Sequence, residues 1–310
     1  MAMVSSRTWY GFRDQKPSVG HPTVRASLIA SSHCGRCGSC TANRTPGSLA
    51  GVLRLRDART GARAEVRLAR PGVLRVCAQA AGGSGLTALR VLLTADLLSR
   101  TAELRGLQVL TAADLTGSPP AQAAAIEADA GLLGIHPPAA HTSCREAPSS
   151  LGGPVDVYLA SQDTATGPGR EGLLVSVGAA RLDPAGGGPG AGGGLPAGHR
   201  DDPLAVRLAL MAFPAGQPAA LTADGLVRAG ETLAYWRERV AQWAESPSRP
   251  MPAPLEAAAR EAFGGLDTAA ALALLHGLPA DASVPPGAKF ETFVYADRVL
   301  GLDLARDIGR

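Results

Sequence analysis

The stretch Leu74–Thr116 constrains this chain more than any other. It reads LRVCAQAAGGSGLTALRVLLTADLLSRTAELRGLQVLTAADLT. The apolar run Val73–Cys77 is short and gives way to small residues and then Gly82-Gly83-Ser84-Gly85. A buried parallel strand delivers its chain to a helix N-terminus in this manner. Leucines at helical spacing predict a helix over Leu86–Leu104, with Gly106 where a C-cap belongs. Val109-Leu110-Thr111 then opens a second strand. Strand, glycine turn, helix and strand together are the opening unit of a nucleotide-binding α/β domain. The turn itself has two readings. Its backbone N–H groups can face a phosphate at the helix start, or it simply needs small residues to turn tightly. GGSG matches neither phosphate-loop fingerprint.

Composition bounds the rest. With 310 residues and 45% hydrophobic content, the chain can bury one large core or two modest ones. A net charge of +3 is too small to argue for nucleic-acid binding by bulk electrostatics. No apolar run approaches membrane-spanning length, and the N-terminus lacks a continuous apolar signal segment. Five cysteines, an odd number, fit a reducing cytoplasm better than a disulfide framework, so a cytoplasmic protein is expected.

Four segments follow from patterning. Residues 1–51 are rich in Ser, Gly, Pro, Thr and Arg without periodicity and read as a disordered extension. Residues 52–183 read as the α/β part: a hairpin, the unit above, a helix around Ala121–Leu133, and strands near Val155–Leu159 and Leu173–Val177. Residues 184–199 form a Gly/Pro-rich linker. Residues 200–310 read as an α-helical bundle, with helices over Ala223–Ala244, Leu255–Phe263, Asp267–His276 and Phe290–Leu300. Asp202 before Pro203 looks like a helix cap. Trp236 and Trp243 are seven apart on one helical face, which favours core packing.

Several stretches, in order, resemble cysteinyl-tRNA synthetases and the related cysteine ligase of mycothiol biosynthesis. Leu53–Leu68, LRLRDARTGARAEVRL, resembles the family's N-terminal hairpin, and Leu74–Thr116 its first βαβ unit. Ile126–Pro138, IEADAGLLGIHPP, resembles the family's Phe-x-x-Asp-Met, Leu-Gly-Val, Pro-Pro segment. Leu174–Asp183 resembles the strand before the KMSKS loop, and Asp202–Phe213 the helix after it. Leu266-Asp267-Thr268 and Val299–Leu304 resemble marks in the helical part. The resemblance implies a class I synthetase-type Rossmann-like domain, truncated, followed by the helical bundle. It also implies ATP or another nucleotide as ligand, and zinc held by Cys77 with later Cys, His and Glu ligands.

The chain departs from that family where the chemistry would sit. At the HIGH position it has Gly85-Leu86-Thr87-Ala88, which cannot stabilise charged phosphates as histidines do. The stretch after Asp183 reads PAGGGPGAGGGLPAGH, and no lysine lies between Lys16 and Lys289. No PHHE-like run supplies the remaining zinc ligands.

These departures point to a degenerate, non-aminoacylating relative, a pseudoenzyme that binds a small-molecule or nucleotide ligand or acts as a regulatory partner of another protein. Its catalytic residues are unknown. Its ligand-facing candidates are Cys77, Gly82, Gly83, Ser84, Gly85 and Thr87 at the turn, and Thr116 after the second strand. The alternative is a divergent ATP-dependent cysteine ligase, joining cysteine to an amino sugar, a carrier or a tRNA. It would need Arg75, Arg90 or Arg181 to replace the missing charges. No anticodon-binding module is recognisable, so tRNA charging is the least favoured activity.

Cys34, Cys37 and Cys40 have the C-x₂-C-x₂-C spacing of a zinc or iron–sulfur site but lack a well-placed fourth ligand. Arg54, Arg56, Arg63, Arg67 and Arg70 alternate with small and apolar residues, either as a basic face or as the solvated side of a half-buried sheet. His136 and His141 read as loop residues.

Overall fold

The computed structural model describes residues 53–162, 171–183, 195 and 202–310. The extension at 1–51, Cys34, Cys37 and Cys40, and nearly all of the 184–199 linker lie outside the described residues.

The chain opens with a hairpin. β1 (Arg54–Arg56) pairs antiparallel with β2 (Arg63–Glu65). Leu55 is buried while Arg54, Arg56, Arg63, Arg67 and Arg70 are exposed, the alternation of a sheet with one solvated face. Next come β3 (Val73–Gln79), α1 (Gly85–Glu103), β4 (Gln108–Asp114), α2 (Pro120–Leu132) and β5 (Ala140–His141). The short α3 (Ala147–Ser150) leads to β6 (Val157–Ser161) and β7 (Leu173–Val177).

These five strands form one parallel sheet in the order β5-β4-β3-β6-β7. The first strand is central. The chain winds outward for two strands, then crosses β3 and winds the other way. That reversal between β3 and β6 is the switch point where open α/β sheets ordinarily hold ligands, beyond the carboxyl ends of the strands.

β8 (Ala180–Leu182) and β9 (Ala219–Leu221) form a separate parallel pair, flanking α4 (Pro203–Met211). The helical part is completed by α5 (Ala223–Ala244), α6 (Ala253–Gly264), α7 (Thr268–Gly277) and α8 (Pro286–Leu300). Thr222 caps α5 by accepting from Gly225 N–H at 3.0 Å. Asp202 is the N-cap residue of α4 before Pro203, as expected, but its side chain makes no capping bond. Its carboxylate instead meets Arg237 Nη1 at 3.3 Å. Trp236 and Trp243 are both buried, each edge-on to Phe293.

The α/β and helical parts, separable in sequence, share one continuous hydrophobic cluster. The reason is α1. It is buried over nearly its whole circumference, with the sheet on one side and α8 on another. A helix apolar all round belongs inside a protein. Of its polar side chains, Thr87, Arg90, Thr94, Asp96 and Ser99 are buried and bonded, while the buried Thr101 hydroxyl has no partner among the described residues. Among the described residues the sheet's other face has a thin cover, a second cluster that includes Cys77, Cys144, Leu151, Tyr158 and Leu174. Among the described residues no helix is long and apolar enough to cross a membrane.

Candidate functional site

The glycine turn lies at the switch point, where ligand chemistry is expected. Gly82 has a positive φ of 84°, a conformation open to glycine. Ser84 is the N-cap of α1 and accepts from Thr87 N–H at 3.3 Å. The turn therefore does what the sequence implied for the backbone. Its side chains, however, are committed to the protein's own chain. Thr87 Oγ1 accepts from Ala180 N–H at 3.0 Å and lies 3.2 Å from Ala180 O. Ser84 Oγ donates to the same carbonyl at 3.2 Å. The helix start is thus latched to β8.

A second clasp lies one turn along. Buried Arg90 donates to the carbonyls of Gly178 (2.9 Å), Gln217 (2.5 Å), Pro214 (2.9 Å) and Phe213 (3.2 Å). Desolvation by burial lowers its pKa to about 10. Gly178 must be glycine, because a Cβ there would run into the Gln217 backbone. Arg75 is likewise buried, with Nε on Leu151 O (2.9 Å) and Nη2 on Gly152 O (3.1 Å). Two of the three arginines that a ligase would need are therefore structural clasps. The Arg181 side chain on β8 is exposed and makes no ion pair with a described residue.

Thr116 is placed by Asp114, whose Oδ1 accepts from Thr116 N–H (3.0 Å) and Oγ (2.5 Å). The other carboxylate oxygen of Asp114 accepts from Cys144 N–H at 2.7 Å. This buried aspartate organises the carboxyl edge of β4, yet sequence reasoning passed over it. Its place as the last residue of a strand was the available signal.

Cys77 does not face the turn as a free thiol. It forms a disulfide with Cys144, with Cα atoms 6.1 Å apart, inside the thin second cluster. This corrects the expectation that the cysteines avoid disulfides, and with it the cysteine argument for a reducing compartment. A bridged sulfur is not a thiolate and does not ligate a metal in that state. Among the described residues, no three His, Cys, Asp or Glu side chains gather in a metal-holding group.

His136 lies in a loop as read, whereas His141 ends the short strand β5. His141 Nδ1 lies 3.0 Å from Glu127. His136 places both its backbone N–H (3.1 Å) and its Nδ1 (3.2 Å) on Asp96 Oδ1.

No protein-family model matches the chain, and no curated protein matches it.

The latch predicts a measurable cost. Thr87→Val removes the oxygen that satisfies the buried Ala180 N–H. Unfolding stability is expected to fall by about 1–3 kcal/mol, the penalty for an orphaned buried donor. Urea denaturation checks it, with Thr87→Ser expected to recover most of the loss.

Proposed function

We propose that this protein is a degenerate, synthetase-like α/β protein that does not form aminoacyl adenylates and works as a binding or regulatory partner of another protein. The observation that carries the reading is the latch at the switch point. Ser84 and Thr87, the polar side chains of the turn, are bonded to Ala180. In the resembling family the motif at positions 85–88 supplies histidines that stabilise the phosphate charge. Adenylate formation needs positive or hydrogen-bond-donating groups aimed at the developing phosphate charge. Here the guanidinium groups nearest the turn in sequence, Arg75 and Arg90, are spent on backbone carbonyls. Cys77, which would select cysteine through zinc in the resembling family, is bridged to Cys144. These features support a pseudoenzyme over the ligase. A nucleotide in this cleft belongs to the same proposal only if the latch opens, and so does a zinc ion on Cys77 only if the disulfide is reduced.

The test is ATP–pyrophosphate exchange in the presence of cysteine. No exchange above the protein-free background is expected. Cysteine-dependent exchange that disappears in Arg181→Ala would overturn the proposal. It would point instead to a divergent cysteine ligase using the one exposed arginine of the three.

A further inference from the structure

Away from the switch point, an open cleft of about 440 Å³ lies at the β4 side of the sheet. That volume is in the range of built binding sites. Its lining includes Asp96, Ser99 and Glu103 of α1, Val109 and Thr111 of β4, and His136.

The backbone of β4 is unevenly paired here. Gln108 N–H donates to Gly72 O, so Gln108 and the alternate residues after it face β3. Thr111 O accepts from Ala139 N–H and Ala113 O from Thr142 N–H, so the odd-numbered residues face the other way. β5, however, pairs only with Ala112 and Ala113. Val109 therefore points its N–H and C=O outward at a strand edge, and no described residue bonds to either. An unpaired strand edge is a template for another strand.

The walls add a chemical preference. Asp96 holds His136 by Nδ1, which leaves Nε2 as an acceptor when the ring is neutral. Glu103 is exposed, lines the cleft and pairs with no described residue. The Ser99 and Thr111 hydroxyls lie 3.3 Å apart beneath them. The Asp96 charge is already met by Arg100 and Arg207. What the cleft offers a ligand is thus acceptors and one uncompensated carboxylate, which calls for a cationic side chain.

We infer that the β4 edge receives an extended peptide segment of a partner protein. The peptide adds to the sheet through the Val109 backbone and places a lysine or arginine beside Glu103 and His136. Main-chain bonds at a sheet edge give such complexes affinity, and the pocket gives specificity. The inference names the partner chemistry of the binding protein proposed above and rests on that reading.

The experiment is selection of displayed random eight-residue peptides on the full chain, followed by fluorescence anisotropy with the enriched sequences. A basic residue at one fixed position is expected. Glu103→Gln should weaken binding severalfold, with a smaller loss at high salt. Val109→Pro removes the outward N–H without touching a bond to β3, a replacement that edge strands tolerate. It should weaken binding about tenfold, the scale of one or two lost backbone hydrogen bonds. Should Val109→Pro disturb folding, N-methylation of alternate peptide residues makes the same test from the partner's side. Failure to enrich any peptide would overturn the inference. Binding indifferent to both Glu103→Gln and N-methylation would do the same. Pyrophosphate exchange is blind to this edge, so the two proposals fail separately.

Discussion

Asp96→Ala is expected to lower unfolding stability by about 3–5 kcal/mol, the range for breaking a buried ion pair by removing one partner. The Asp96 carboxylate is wholly buried and takes Arg207 Nη2 at 2.7 Å and Arg100 Nε at 2.8 Å on one oxygen. The other oxygen receives the backbone and ring of His136. Arg207 is itself fully buried and also donates to Leu300 O (2.6 Å) and Leu133 O (2.9 Å). Arg100 reaches Gly134 O at 2.8 Å. One carboxylate thus joins α1, the end of α2, α4 and the end of α8. Removing it strands the Arg207 charge, whose pKa burial already lowers and Asp96 raises. The measurement is urea denaturation of Asp96→Ala, Arg207→Met and the double variant. The double variant should lose less than the sum of the singles, because neither charge is then left unpartnered. Additive losses would mean that the pair is not the unit described.

The network also explains which parts of the fold were legible in the sequence. The strand–turn–helix unit was readable because its signals are local. Apolar spacing, small turn residues and Ser84 as N-cap fall within a few residues of each other. The helix Ala223–Ala244 and the sheet strand Leu173–Val177 were readable for the same reason. β8 and β9 were not, since their strands are three residues each and pair across about forty residues of sequence. The role of Arg207 was hidden too. Within DPLAVRLALMAF it reads as the polar face of an amphipathic helix, and only α1 and α8 arriving from elsewhere bury it. The candidate site divides along the same line. Gly82 to Thr87 form the turn from β3 into α1 as read. Whether their hydroxyls face a ligand or the chain's own backbone depends on Ala180, which is 93 residues from Thr87.

Reduction of the Cys77–Cys144 disulfide is expected to cost about 4 kcal/mol, the chain-entropy value for its sequence separation of 67. The bridge ties the central strand to the segment before α3, on the face of the sheet that has the thinner cover. Among the described residues, Leu110, Leu151, Val155, Tyr158, Leu174 and a few alanines make up the small cluster around it, so few contacts remain to hold that segment when the link is cut. In non-reducing buffer the urea midpoint should lie well above that in excess dithiothreitol. The doubly substituted Cys77→Ala/Cys144→Ala protein should match the reduced value and ignore the reductant. Thiol titration of the unfolded chain should find two fewer groups without reductant than with it, if the remaining cysteines are unaffected. A wild-type midpoint indifferent to reductant, with both thiols titrating, would overturn the expectation. It would also reopen the chemistry at this strand. A free thiol at Cys77 is what a zinc-dependent cysteine ligase requires, whereas a bridged one leaves that strand a structural part alone.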